Sequence, residues 1–124
     1  MKLDEFNDRY TYQSDMEKFG FDEVWEIPKL RDGKYYGDCE SYCLFLKNNV
    51  DGFSDWGLYF CKLDGKGHCV LYKDGGVIDC NTKRIMSYAQ YCSVYMVTDF
   101  KKYSWFVLLG KKLITKWRLL CLIK

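Results

Sequence analysis

Cys39 stands in the stretch GDCESYCLFLK (37–47), directly behind an aspartate suited to capping a helix. Cys39, Tyr42, Cys43 and Leu46 recur at helical spacing, which predicts a helix opening at Cys39 and ending near Asn48–Asn49, before Gly52. A thiol at the first helical position sits at the positive end of the helix dipole. That field favours the thiolate, the form that attacks carbonyl carbon. Such a nucleophile needs a base, and the chain contains one histidine, His68. A third group must then hold the imidazole in one tautomer. If Asp74–Gly75 is a two-residue hairpin turn, Lys73 faces Gly76, Val70 faces Asp79 and His68 faces Asn81. His68 and Asp79 then share a sheet face as diagonal neighbours. A slip of one residue would turn Asp79 to the opposite face.

Each residue also has a plainer role. Cys39 would serve as a small buried hydrophobe, as would the other six cysteines. His68 would bond a nearby carbonyl, and Asp79, in DCNT, would initiate a turn. A metal module on Cys61, His68, Cys69 and Cys80 is a further alternative. Structural zinc favours paired ligands two to four residues apart, and the one such pair, Cys39 and Cys43, falls within a single helix.

The elements that must position these groups follow in order. Residues 4–20 predict a helical turn ending at Gly20, and residues 21–36 read as loop, with Pro28 and the Asp32–Gly33 turn pair. After the Cys39 helix come strands at 57–63, 68–73 and 76–80, an antiparallel meander. A fourth strand is expected at 92–97, after a short irregular or helical stretch. Helix first and sheet second gives an α+β class. At the C-terminus, Phe106, Leu109, Leu113, Trp117 and Leu120 form one helical stripe, with Lys111, Lys112, Lys116 and Arg118 away from its centre. The stripe is expected to pack on the domain's own sheet, although strands remain open here.

The chain has 124 residues, 48% hydrophobic and 29% charged, which fits one globular domain spanning 1–124. No repeat, linker or apolar leader stretch is visible, and the cysteine count is odd; these features fit a reduced, cytoplasmic setting without a disulfide framework. The net charge of +2 conceals an asymmetry. Residues 1–60 carry seven basic and thirteen acidic residues, and residues 61–124 carry twelve and four. From Phe100 onward there are seven basic residues and no acid. Residues 101–124 are therefore a candidate contact for an anionic membrane or nucleic acid, or simply a counterweight to the acidic half.

The set GDCESYCLFLK followed by GKGHCVLYKDGGVIDCN (65–81) resembles the transglutaminase-like cysteine proteinases of bacteria and their phages, in the papain-like superfamily. That family's pattern is Gly-Asp-Cys-Glu-Asp-Tyr-Ala opening a helix, a later Gly-His-Ala-Val-Leu strand, and an Asp, usually before Asn, on the next strand. Upstream, YTYQSDMEKFGFDEVWEIP is similar to the family's preceding segment, with Asp15, Gly20, Trp25 and Pro28 in order. The similarity runs from residue 10 to about 81. Ser41, Cys43, Cys69 and Cys80 depart from it.

The resemblance implies a papain-like/transglutaminase-like core with the nucleophile helix packed on an antiparallel sheet. It implies acyl transfer from a protein or peptide amide through a thioester on Cys39, with His68 as base, Asp79 as orienter and no cofactor or metal. The Cys39 N–H would be one oxyanion donor, and Trp25 a candidate second. Hydrolysis is the expected outcome, and transfer to an amine stays open. The alternative is a non-enzymatic scaffold that binds partners through its basic C-terminal segment.

Overall fold

A computed structural model describes residues 1–14 and 26–123, except the side chains of residues 105, 106, 118, 119 and 121–123. The expected turn at Gly20, and the correspondences at Asp15, Gly20 and Trp25, lie outside the described residues. The chain is α+β. In order it forms α1 (Leu3–Arg9), β1 (Tyr10–Tyr12), β2 (Leu30–Arg31), β3 (Lys34–Gly37), α2 (Cys39–Asn49), β4 (Gly57–Leu63) and β5 (Lys66–Lys73). There follow β6 (Gly76–Ile78), β7 (Met86–Ser87), α3 (Tyr88–Val94), β8 (Val97–Lys102) and α4 (Trp105–Ile123).

One device sets the register of three hairpins. At Asp32–Gly33, Asp64–Gly65 and Asp74–Gly75 both residues take positive φ, the geometry of the two-residue turn that matches strand twist. The third turn pairs Lys73 with Gly76 and Leu71 with Ile78, and the ladder stops there. The first makes β2–β3 a hairpin where the sequence reads as loop. β2 has only two residues, both exposed, so it carries no alternation to recognise.

β1, β3 and β2 form a small sheet, with β1 parallel to β3. The main sheet runs β7-β6-β5-β4-β8 and is antiparallel throughout. Alternation along β4 to β6 fills two cores. Leu58, Cys69, Leu71 and Ile78 face α2, where Phe6, Tyr10, Tyr35, Tyr42 and Phe45 form a ring cluster; Phe6 and Phe45 stack at 4.1 Å. Cys61, Val70 and Val77 face the other way, onto Tyr91 of α3. Burial of these rings supplies the main driving force for bringing helices and sheet together.

Two expectations are corrected. Residues 92–94 belong to helix α3, and the strand begins only at Val97. Ser87 caps α3, its hydroxyl accepting from Gln90 N–H at 3.2 Å, and Tyr91 supplies the inward anchor. β8 is an edge strand beside β4 whose register shifts opposite Phe60–Lys62, with Asp99 at positive φ. This bulge breaks the alternation that would have marked it.

The second correction concerns α4. Leu109, Leu113, Trp117 and Leu120 are exposed, Trp117 by 67%, so the expected stripe faces away from the sheet. The helix meets the body through partly buried Leu108 and buried Thr115. Leu108 joins the same core cluster as Phe45 and Leu46 of α2. Among the described residues, no helix is long and apolar enough to cross a membrane.

Candidate active site

The approach to Cys39 is built before the helix starts. The Tyr10 hydroxyl donates to the Gly37 carbonyl at 2.8 Å, fixing the last residue of β3 against the ring cluster. A side chain at Gly37 is excluded: its Cβ would lie 2.5 Å from Ser41 Cβ. Ser41 is itself buried and small, so Gly37 and Ser41 fit together across the first turn.

Asp38 is the N-cap, and its Oδ1 accepts from Ser41 N–H at 3.1 Å. Cys39 occupies the first helical position. Its N–H is one of the first four of the helix, which have no intrahelical acceptor. One turn on, the Cys43 thiol donates to the Cys69 carbonyl at 3.5 Å, tying α2 to the residue after His68.

The Cys39 thiol donates to Glu40 Oε2 at 3.3 Å; among the described residues no hydrogen bond joins it to His68. Burial raises the thiol's pKa well above the ordinary range, and the charges of Glu40, Cys69, Asp38 and Cys80 add to this. In this arrangement Cys39 rests as a thiol, opposite to the dipole-driven ionisation expected from its position. Desolvation and a neighbouring acid outweigh the helix dipole, whose influence is about 0.3–1 kcal/mol at exposed sites. Glu40 is pushed up to about 7, first by burial, then by the charge of Asp38 and a hydrogen bond shared with it.

His68 and Asp79 meet. His68 Nε2 donates to Asp79 Oδ2 at 2.7 Å, with the carboxylate fully buried and the imidazole largely so. The hairpin turn sets this up: it pairs Leu71 with Ile78, and Asp79, the residue just past the ladder, meets the His68 side chain on the α3 face. Asp79 Oδ1 accepts from the N–H groups of Asn81 at 3.0 Å and Thr82 at 2.8 Å. Tyr91 donates its phenol to Oδ2. Burial alone would raise the pKa of Asp79, but the bonds from His68 and Tyr91 outweigh it and hold the carboxyl below the ordinary range. A buried carboxylate so fully bonded is ionised, and it fixes the His68 proton on Nε2, leaving Nδ1 as the basic nitrogen.

A cleft of about 580 Å³ opens at this point. Glu40, Phe60, Gly67 and His68 line it, together with Lys101, Lys102, Tyr103 and Lys111 from the end of β8 to the first half of α4. Glu40, which holds the thiol, and residue His68 both border this solvent-open hollow, but the imidazole turns to the α3 face of the sheet, where it meets Asp79, while Cys39 packs on the α2 face. Among the described residues, no three His, Cys, Asp or Glu side chains are grouped to hold a metal ion.

Sequence reasoning does not find Tyr91, because YAQYCSVYM contains three tyrosines and only packing selects one. It also misses Glu40 as the thiol's partner, though adjacency was a signal, and it does not place the C-terminal lysines beside the site. No protein-family model matches this chain, and a search of curated proteins finds no match.

Proposed function

We propose that the protein is a cysteine-dependent acyl-transfer enzyme of papain-like, transglutaminase-like type, acting on an amide. The single observation that carries this reading is the His68–Asp79 pair: the chain's one imidazole is oriented by a buried carboxylate, its Nδ1 left basic, at the edge of a cleft. Cys39, at the head of the helix packed on the same sheet, is the nucleophile.

The Cys39 thiol leaves Glu40 and passes its proton to His68 Nδ1 as sulfur attacks the amide carbon. The oxyanion that forms lies near the Cys39 N–H. Collapse breaks the C–N bond, and His68 returns the proton to the departing amine, leaving a thioester. Water, or an amine, then attacks that thioester; His68 takes the incoming proton and delivers it to sulfur. Asp79 stabilises the imidazolium in both halves and does not itself change protonation.

The test is alkylation by a peptide chloromethyl ketone, read residue by residue by mass spectrometry. Selective labelling at Cys39, abolished in Cys39→Ala and strongly slowed in His68→Ala, is expected. Labelling spread across several cysteines, or a Cys39 rate indifferent to His68, would reject the enzyme.

A second reading concerns attachment, and the exposed stripe of α4 favours it. Leu109, Leu113, Trp117 and Leu120 face outward, and Lys112 and Lys116 are exposed on the same acid-free helix. An apolar face accompanied by bases suits the surface of an anionic bilayer. Sedimentation with phosphatidylglycerol vesicles but not phosphatidylcholine vesicles, lost on Trp117→Glu, is the expected result. Equal recovery with neither vesicle, or retention on DNA alone, would reject the bilayer.

A further inference from the structure

The cleft beside His68 is unequal in charge. Lys101, Lys102 and Lys111 line it, and Glu40 is the one acid among its described lining residues. Two of the ammonium groups are held over rings: Lys101 Nζ lies 5.8 Å from the Phe60 ring centroid, and Lys111 Nζ lies 6.0 Å from that of Tyr103. Cation–π attraction keeps such groups near an aromatic floor instead of leaving them free to extend into water. The Phe60 ring lies beside Gly67, where a Cβ would make ordinary van der Waals contact at 3.5 Å. Lysine side chains gathered at one hollow raise the local positive potential, which favours an anion.

We infer that the cleft receives an acidic side chain, so that the substrate is a peptide amide carrying Asp or Glu close to the bond cleaved. This rests on the acyl-transfer reading for the position of the reacting amide. The charge preference rests separately on the lysines. A carboxylate bound between Lys101 and Lys111 would lie with its aliphatic stem on the adjoining Phe60 and Tyr103 rings, and its backbone would run past His68. An acidic peptide is favoured over nucleic acid because the basic groups surround a hollow beside the His68–Asp79 pair, where a phosphodiester chain would need a track along the surface. The chain's own distribution of charge is consistent with selectivity: the approach through β8 and α4 has no acid after Asp99.

Paired chloroacetyl peptides, identical except for Glu or Gln at one position near the reactive group, test the inference on the full chain. Cys39 alkylation should be roughly tenfold faster for the Glu peptide at one position, and the advantage should shrink in about 0.5 M salt. In the double variant Lys101→Gln/Lys111→Gln, the Glu-to-Gln rate ratio should fall to about one. Lys101→Glu should reverse the preference toward a Lys peptide, a gain that misfolding would not produce. Selective Cys39 alkylation with equal Glu and Gln rates at every position would overturn the substrate inference and leave the enzyme standing. Failure of either peptide to select Cys39 would overturn both. Stronger protection of Cys39 by an oligonucleotide than by an acidic peptide would overturn the choice of peptide.

Discussion

Tyr91 and His68 bond the same carboxylate oxygen, Oδ2 of Asp79, from opposite elements of the fold: one on helix α3, the other on strand β5. The phenol is buried, and so is the acid. A buried carboxylate is costly unless its lone pairs are filled, and here Tyr91, His68 and two backbone N–H groups fill them. Helix α3 therefore acts on the candidate site without bordering the cleft: it keeps Asp79 charged.

Tyr91→Phe should lower stability by about 1.5–3 kcal/mol, the usual range for a hydrogen bond to a charged group. It should also change the response to acid. The folded carboxyl of Asp79 lies below its ordinary value, so its stabilising contribution is complete above about pH 4 and is lost as pH falls through the folded value. Without the Tyr91 bond the folded value rises and the loss begins at higher pH. Acid unfolding followed by near-ultraviolet circular dichroism should show a midpoint shifted upward; an unchanged midpoint would show that Tyr91 contributes packing alone.

Asp79→Asn keeps the shape and the turn contacts but removes the charge that orients His68. Alkylation of Cys39 by a peptide chloromethyl ketone should slow by about 10²–10⁴-fold, the usual contribution of a positioned acid–base group. Thermal melting should fall much less than for Asp79→Ala, which also empties the Oδ1 bonds to Asn81 and Thr82. A rate unchanged in Asp79→Asn would show that the pair is structural.

Glu40 behaves oppositely to Asp79. Burial and Asp38 push its folded value up to about 7, so the folded state is penalised once the carboxyl ionises more readily in the unfolded chain. Stability should thus decline as pH rises from about 4.5 towards 7, a slope that Glu40→Gln should reduce in urea titrations. The same variant removes a negative neighbour from the Cys39 thiol, so the pH profile of Cys39 alkylation should move downward. A profile moving upward would mean that Glu40 acts as a needed proton acceptor.

Gly37→Ala places a methyl against Ser41 Cβ and should cost about 1–3 kcal/mol, the range for overpacking. Because the strain falls at the first turn of α2, Cys39 alkylation should slow as well. Ser41→Gly in the same chain should recover part of both losses. No recovery would indicate that Gly37 is needed for its backbone and not for the contact.

Local chemistry is what the sequence alone determined. Asp38 before Cys39 marked the start of α2, because a capping side chain acts within one turn. Asp74–Gly75 set the β5–β6 register, because that turn requires two residues at positive φ, and register alone carried Asp79 towards His68. The later segments were not legible in this way: the bulge near Asp99 hid β8, and the tyrosines of 88–95 looked alike until Tyr91 turned inward.

Tertiary structure decided everything that depends on what lies opposite. Which face of α4 is covered was settled by tertiary packing: the apolar stripe turned outward, while Leu108 joined the core and Thr115 became buried. Whether Cys39 rests ionised was settled chiefly by burial, which no spacing along the chain encodes, with its neighbour Glu40 adding to it. The lysines that border the cleft arrive from more than thirty residues beyond His68 in the chain, brought there because β8 pairs with β4 at the sheet edge. Turns and caps are short-range physics and can be read in order; burial and electrostatic fields are sums over neighbours, and neighbours exist only once the chain has folded.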